Sequence, residues 1–230
     1  MIHSARSSDS QLALDFAPRA RWGGRRAGAG RKRGPHPGVP HLRRGRVTAH
    51  EPCHVTLRVR RGLPSLRDGR VVREVQRSFA RAAEQGSFRV VHFSLQSDHV
   101  HLLVEAASPR ALGRGMMSIG ARIARAVHRA FGLCGSVLEE RYHHRVLRTP
   151  REVRNVLVYV LNNVRKHART RSRTSGIDPA SSGSWFDGWT RETPAGTGAR
   201  PVAAARSWLL RVGWRRHGRI DPAETPAERR

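Results

Sequence analysis

Val55, Leu57 and Val59 alternate with Thr56, Arg58 and Arg60, a period of two that predicts a half-buried strand. Gly62-Leu-Pro-Ser65 interrupts it. From Leu66 to Gln85 the period lengthens. Leu66, Val71, Val72, Val75, Phe79 and Ala82 share one side of a predicted helix, with Gly86 placed to close it. Phe88 to Gln96 reads as a strongly apolar strand, Ser97-Asp98 as a tight turn, and His99 to Ala106 as the hairpin partner. Pro109 opens a second helix that runs to about Phe131, with Leu112, Met116, Ile119, Ile123 and Val127 at helical spacing. A further strand is expected within Val137 to Leu147. Thr149-Pro-Arg-Glu152 has the form of a capping box and predicts a third helix to about His167. Its apolar stripe is Val153, Val156, Leu157, Val160, Leu161 and Val164, while Asn155, Tyr159, Asn162, Asn163 and Lys166 fall on the other face.

The order β-α-β-β-α-β-α predicts an α+β fold, a four-stranded antiparallel sheet with helices packed on it. Three segments are expected. Residues 1–46 are rich in Arg, Gly, Pro and Ser and read as a disordered basic arm. Residues 47–170 form the domain. Residues 171–230 make a C-terminal extension, partly ordered, that gathers Trp185, Phe186, Trp189, Trp208 and Trp214.

Charge narrows the partners. Lys and Arg number 44 against 17 Asp and Glu, a formal net charge of +27, and such a field attracts polyanions, nucleic acid first. All but Lys32 and Lys166 of the basic residues are arginine, the better bidentate phosphate ligand. Gly28-Ala-Gly-Arg-Lys-Arg-Gly-Pro35 resembles an AT-hook, which lies in the minor groove of A·T tracts, although a solvated charge run accounts for it equally well. No apolar stretch approaches 18 residues, so no membrane partner is expected. The first residues lack the apolar core of a signal peptide. Cys53 and Cys134 fall in separate elements and offer neither a disulfide framework nor a thiolate metal site. A reducing, cytoplasmic setting, beside the bacterial nucleoid, is the expectation.

His99-Val100-His101 is the candidate chemistry. On a strand, residues i and i+2 share a face, so both imidazoles project together while Val100, Leu102 and Val104 point the other way. Two imidazoles make half of a metal site, although thirteen histidines make a chance His-x-His unsurprising. Tyr159 and Asn163, four apart on one helix face, offer a nucleophile and a third ligand. Glu105 shares the strand face but lies too far along it to coordinate. His92, His128, His143 and His144 have no such pairing in the sequence, and Tyr142, the other tyrosine, falls in a predicted strand. The expected cofactor is a divalent cation, Mg²⁺ or Mn²⁺, acting as Lewis acid on a phosphodiester.

A His-hydrophobic-His strand followed by a helix with one Tyr and an amide at the fourth position after it resembles the single-tyrosine transposases of the HUH superfamily, most of all the REP-associated tyrosine transposases. The resemblance spans roughly residues 45–170, and Asp98-His-Val-His-Leu-Leu-Val104 carries most of it. Many REP-associated members have Pro after the amide; Val164 stands there instead. The resemblance implies a ferredoxin-like core in which His99, His101 and Asn163 hold the metal. It implies that Tyr159 attacks single-stranded or hairpin DNA to leave a 5′-phosphotyrosine and a free 3′-OH. It also allows a homodimer that exchanges the tyrosine helix. Arg31, Lys32, Arg33, Arg58, Arg60 and Lys166 are the expected backbone contacts. The alternative is a catalytically inactive or regulatory nucleic-acid-binding protein, such as an RNA-binding domain. Phe88 and Phe93 would suit that reading, but the Lys/Arg-Gly-Phe-Gly-Phe pattern is absent.

Overall fold

Parity along the strands decides the architecture. β1 (Cys53–Arg58), β3 (Phe88–Leu95), β4 (His99–Ala106) and β5 (His143–Val146) pair antiparallel, with a two-residue strand β2 (Glu84–Gln85) at one edge. The sheet order is β2-β3-β4-β1-β5, which makes β4 the central strand. These strands belong to a computed structural model that describes residues 46–139, 141–164 and 176–226. The described residues all fall within one unit, Gly38–Arg230. The expected basic arm with Arg31, Lys32 and Arg33, together with Lys166, lies outside them.

Each sheet face has its own core. Val55, Leu57, Val100, Leu102, Val104, Phe93 and Leu95 pack with α1 (Gly69–Ala80) and α2 (Pro109–Phe131). The opposite face contributes Val91 and Leu103 to a second core with Val153, Leu157 and Leu161 of α3 (Pro150–Leu161). The C-terminal residues Phe186, Trp189 and Trp214 complete that second core. On α2, Gly115 lies against the ring of Phe88, since a Cβ there would sit 2.2 Å from Phe88 Cγ. Only a residue with no side chain lets the helix approach the sheet so closely.

In β3 the pairing shifts at Val91, between Val90↔Val104 and His92↔Leu103. One extra residue in a strand reverses the facing of everything after it. Phe88 and Val90 before the bulge, and Phe93 and Leu95 after it, therefore all enter the larger core.

Helix ends follow local chemistry. Thr149 Oγ1 accepts from the Glu152 N–H and the Glu152 carboxylate accepts from the Thr149 N–H, the expected capping box. Ser108 caps α2, Pro109 fills its first turn, and Gly132 leaves it at φ +64°.

Two expected helix boundaries are corrected. α1 begins only after its cap, Asp68, and stops at Ala80. Residues 84–85 pair with Phe88 and Arg89 instead, and Gly86, at φ +55°, turns this small hairpin. α3 ends at Leu161, short of His167. The chain leaves the helix at Asn162 (φ −108°, ψ 16°), whose Nδ2 donates to the carbonyls of Asp221 and Glu224. Those acceptors come from 59 and 62 residues further on, which is why no local signal marks the stop.

The C-terminal segment holds a 3₁₀ turn at Gly183–Trp185, a short helix α4 at Trp208–Arg211 and a second 3₁₀ turn at Gly213–His217. Glu105 anchors it. The buried carboxylate accepts from the backbone N–H of Arg206 and Ser207 and pairs with Arg89, a structural role that explains its place on the histidine face. Among the described residues no helix is long and apolar enough to cross a membrane.

Candidate active site

Cross-strand register assembles the site on the face opposite α1 and α2. Thr56 stands opposite His101, Arg58 opposite His99 and His54 opposite Leu103. Ser94 flanks His101 from the other side. Directly opposed residues of an antiparallel pair project from the same face, so four strand positions surround the two expected ligands. His99 Nε2 and His101 Nε2 lie 3.0 Å apart.

Their outer nitrogens are held separately. Asp98 Oδ1 is 2.7 Å from His99 Nδ1. A carboxylate can only accept, so Nδ1 carries the hydrogen and Nε2 is left with its lone pair. His101 Nδ1 lies 3.2 Å from Thr56 Oγ1 and 3.3 Å from His54 Nε2. When this nitrogen donates as well, two lone pairs converge across 3.0 Å. A partner on the far nitrogen is the usual support of a metal-binding imidazole. The hydrogen bond from His99 is the largest effect and holds the Asp98 carboxyl below the usual carboxylate range against the opposing effect of burial, with the charge of Arg58 adding to it.

Tyr159 reaches the same place from α3. Its ring sits edge-on to His101, with centroids 4.9 Å apart, and to His54 at 5.7 Å. It is half-buried, between the second core and the histidines. Tyr142 packs against the larger core and touches His144, away from this cluster.

Asn163 follows the break at Asn162, where the backbone is helical again. It is fully buried, and among the described residues neither its Oδ1 nor its Nδ2 has a hydrogen-bond partner. Its amide thus makes no hydrogen bond to His99 or His101. An amide sealed from water without partners costs about 1–3 kcal/mol, and a ligand for the carbonyl oxygen would remove part of that cost.

The donor set fits a divalent cation. Two metal–nitrogen bonds of about 2.0–2.1 Å at a right angle separate the nitrogens by about 2.9 Å, close to the spacing of the two Nε2 atoms. Among the described residues no group of three or more His, Cys, Asp or Glu is arranged to hold a metal. His54 meets the nitrogen of His101 turned away from His99, so it cannot share an ion with both Nε2 atoms.

His54 and Ser94 are the neighbours that sequence reasoning missed. The alternation that placed Thr56 and Arg58 on one face of β1 extends back to His54, which was the available signal. The bulge hid Ser94. Arg58 lies beside His99 and is exposed, and Arg60, also exposed, follows the end of β1. Two other histidines serve structure. His128 Nε2 donates to the Gly135 carbonyl. His92, unpartnered in the sequence, is buried with Nδ1 3.1 Å from Ser182 Oγ. Burial first, with the charge of Arg200 adding, pushes it down to about 3.

Residues 52–163 match the model of the family described as "Transposase IS200 like". No curated protein matches the chain. Among solved structures, the chain is similar to a REP-associated tyrosine transposase bound to a REP hairpin, at 16% identity and TM-score 0.47 over 63% of this chain and 82% of that one. It is also similar to a transposase-like protein of Deinococcus radiodurans R1, at 18% identity and TM-score 0.37, covering 46% of this chain and 87% of that one. The matched span contains both histidines of β4, the tyrosine of α3 and the buried amide that follows it, and over that span the chain is similar to the IS200-like transposases.

Proposed function

We infer that the protein is a metal-dependent DNA strand transferase acting on single-stranded or hairpin DNA, with Tyr159 as nucleophile. The observation that carries this reading is the packing of the Tyr159 ring against His101, whose Nε2 lies 3.0 Å from that of His99. His99, His101 and the carbonyl oxygen of Asn163 would hold Mg²⁺ or Mn²⁺. When bound, the ion would neutralise charge gathering on the phosphate.

Tyr159 Oη, once deprotonated, forms a bond to phosphorus. The P–O3′ bond breaks, its electron pair leaves on O3′, and that oxygen takes up a proton. The product is a 5′-phosphotyrosine and a free 3′-OH. A second 3′-OH attacking the same phosphorus reverses the step and completes transfer. Asp98 and Thr56 are the positioning residues, since each fixes the far nitrogen of one imidazole. Arg58, Arg60, Lys166 and the basic residues Arg31, Lys32 and Arg33 would hold the DNA backbone. Because Tyr159 meets the histidines of its own chain, catalysis needs no exchange of helices between subunits. Residues 47–170 are the catalytic portion in this reading, acting on DNA in the cytoplasm.

The test is incubation of the full chain with a labelled pool of single-stranded, hairpin-bearing oligonucleotides and Mn²⁺, resolved on a denaturing gel. A protein–DNA adduct is expected that Tyr159→Phe abolishes and Tyr142→Phe keeps. Tight binding with no adduct in Mg²⁺ or Mn²⁺ would refute the chemistry.

A further inference from the structure

On the sheet face opposite the histidines, a cavity of about 360 Å³ opens between α1 and residues 197–199, with Trp185 as one wall. Three arginines line it, two from α1 and one from its C-cap. Arg73, Arg77 and Arg81 are spaced i, i+4 and i+8, so they form one row with steps of about 6 Å along the axis. Arg77 is partly neutralised by Glu74. Arg73 and Arg81 are exposed and form no salt bridge among the described residues.

The aromatic wall is rigidly backed. A Cβ at Gly196 would fall 2.2 Å from Trp185 Cε2, so backbone lies flat against the indole, and Gly196 N–H donates to the Ser184 carbonyl. Gly198, at φ +81°, turns the chain along the opposite rim. The wall and rim come from residues beyond the family match, which ends at 163.

We propose that this groove binds single-stranded DNA, one base entering against Trp185 while successive phosphates follow the arginine row. The proposal rests on the reading of the protein as a DNA strand transferase and adds a second contact surface to it. A row of cations at the repeat of a helix face suits a polymer of phosphates, and an aromatic wall suits an unstacked base. A duplex keeps its bases stacked inside and offers nothing to the indole. Tyr159 and this groove sit on opposite sheet faces. A strand occupying both must therefore pass round the sheet edge, and only a long strand can do so.

The experiment compares fluorescein-labelled dT8 and dT30 on the full chain by anisotropy. Arg73→Gln/Arg81→Gln is compared with Arg114→Gln/Arg125→Gln, a pair that removes the same charge from exposed positions of α2. The groove variant is expected to bind dT30 at least about fivefold more weakly than the α2 variant, with dT8 equal between them. Its slope of log Kd against log salt should fall by about 1.4, near 0.7 for each phosphate of a single strand that is no longer neutralised. Trp185→Phe should leave dT30 binding within about twofold, and Trp185→Ala should weaken it by about fivefold or more. Equal dT30 affinities in the two double variants would overturn the proposal. So would an rU30 strand that binds the groove more tightly than dT30. A groove effect without any Tyr159 adduct would fault the strand-transfer chemistry and leave the groove standing.

Discussion

His92 shows what one buried imidazole does to the response of the whole fold to pH. It sits in the second face of β3 beside Ser182, with its pKa pushed down to about 3 by burial. The folded protein holds it neutral, while the unfolded chain takes up a proton below about pH 6.5. The unfolded state therefore binds more protons between those limits, and stability must fall as pH drops from about 6.5 towards 3. The steepest contribution of one such group is about 1.4 kcal/mol per pH unit. His92→Gln removes it and can still meet the Ser182 hydroxyl. Urea unfolding at pH 7 and pH 4.5 should show a smaller loss of stability in the variant than in the wild type, and parallel losses would refute the assignment. Nothing in the sequence marks His92 for this role, because its partner lies 90 residues away. His99 and His101 were legible, since their pairing is local to one strand and follows from parity alone. His54 lay between these cases: parity placed it on the right face, but only the register of β1 against β4 brought it to His101.

Among the elements, those whose ends are set by neighbouring residues could be read in advance. Thr149 and Glu152 start α3, and Ser108, Pro109 and Gly132 bound α2, all through contacts within four residues. The end of α3 is decided by distant partners, the carbonyls of Asp221 and Glu224, whereas α1 stops short because residues 84–85 fold back on Phe88 and Arg89 in a hairpin turned by Gly86. The seat of α2 on the sheet tests which of two opposed effects is larger. Gly115→Ala gains up to about 1 kcal/mol in helix propensity, but its Cβ would overlap the Phe88 ring. Overpacking of this kind costs about 1–3 kcal/mol, so net destabilisation is expected. Gly113, on the same helix, has no atom within 4 Å of its would-be Cβ, and Gly113→Ala should be neutral or stabilising. Paired urea titrations decide it, and equal midpoints would show that Phe88 yields without cost.

Across the whole molecule, the C-terminal segment ties the tyrosine helix to the sheet. The Arg154 guanidinium pairs with both oxygens of Glu224 and donates to the carbonyls of Gly218 and Arg219. With the two bonds from Asn162, six hydrogen bonds fasten α3 and its exit to residues 218–224. Replacing Arg154 by Ala should cost about 2 kcal/mol, the scale of hydrogen bonds to a charged group, and should speed proteolytic cutting near residue 220. Arg151→Ala, on the exposed side of the same helix, should lie within about 0.5 kcal/mol of wild type. Equal melting of the two variants would mean that the clamp contributes nothing. None of this was readable from composition, which showed a Trp-rich tail but not the surface it covers.

The single surplus residue in β3 sets what the histidine face of the sheet meets. Were Val91 drawn into the regular ladder opposite Leu103, every later residue of the strand would slip by one position. His101 would then face a benzyl ring at Phe93 in place of the Ser94 hydroxyl, and the imidazole of His92 would be driven into hydrocarbon. The polar character of that neighbourhood is thus a matter of counting, one residue long, and two chains of identical composition would differ in whether the histidines meet a hydroxyl or a benzyl ring.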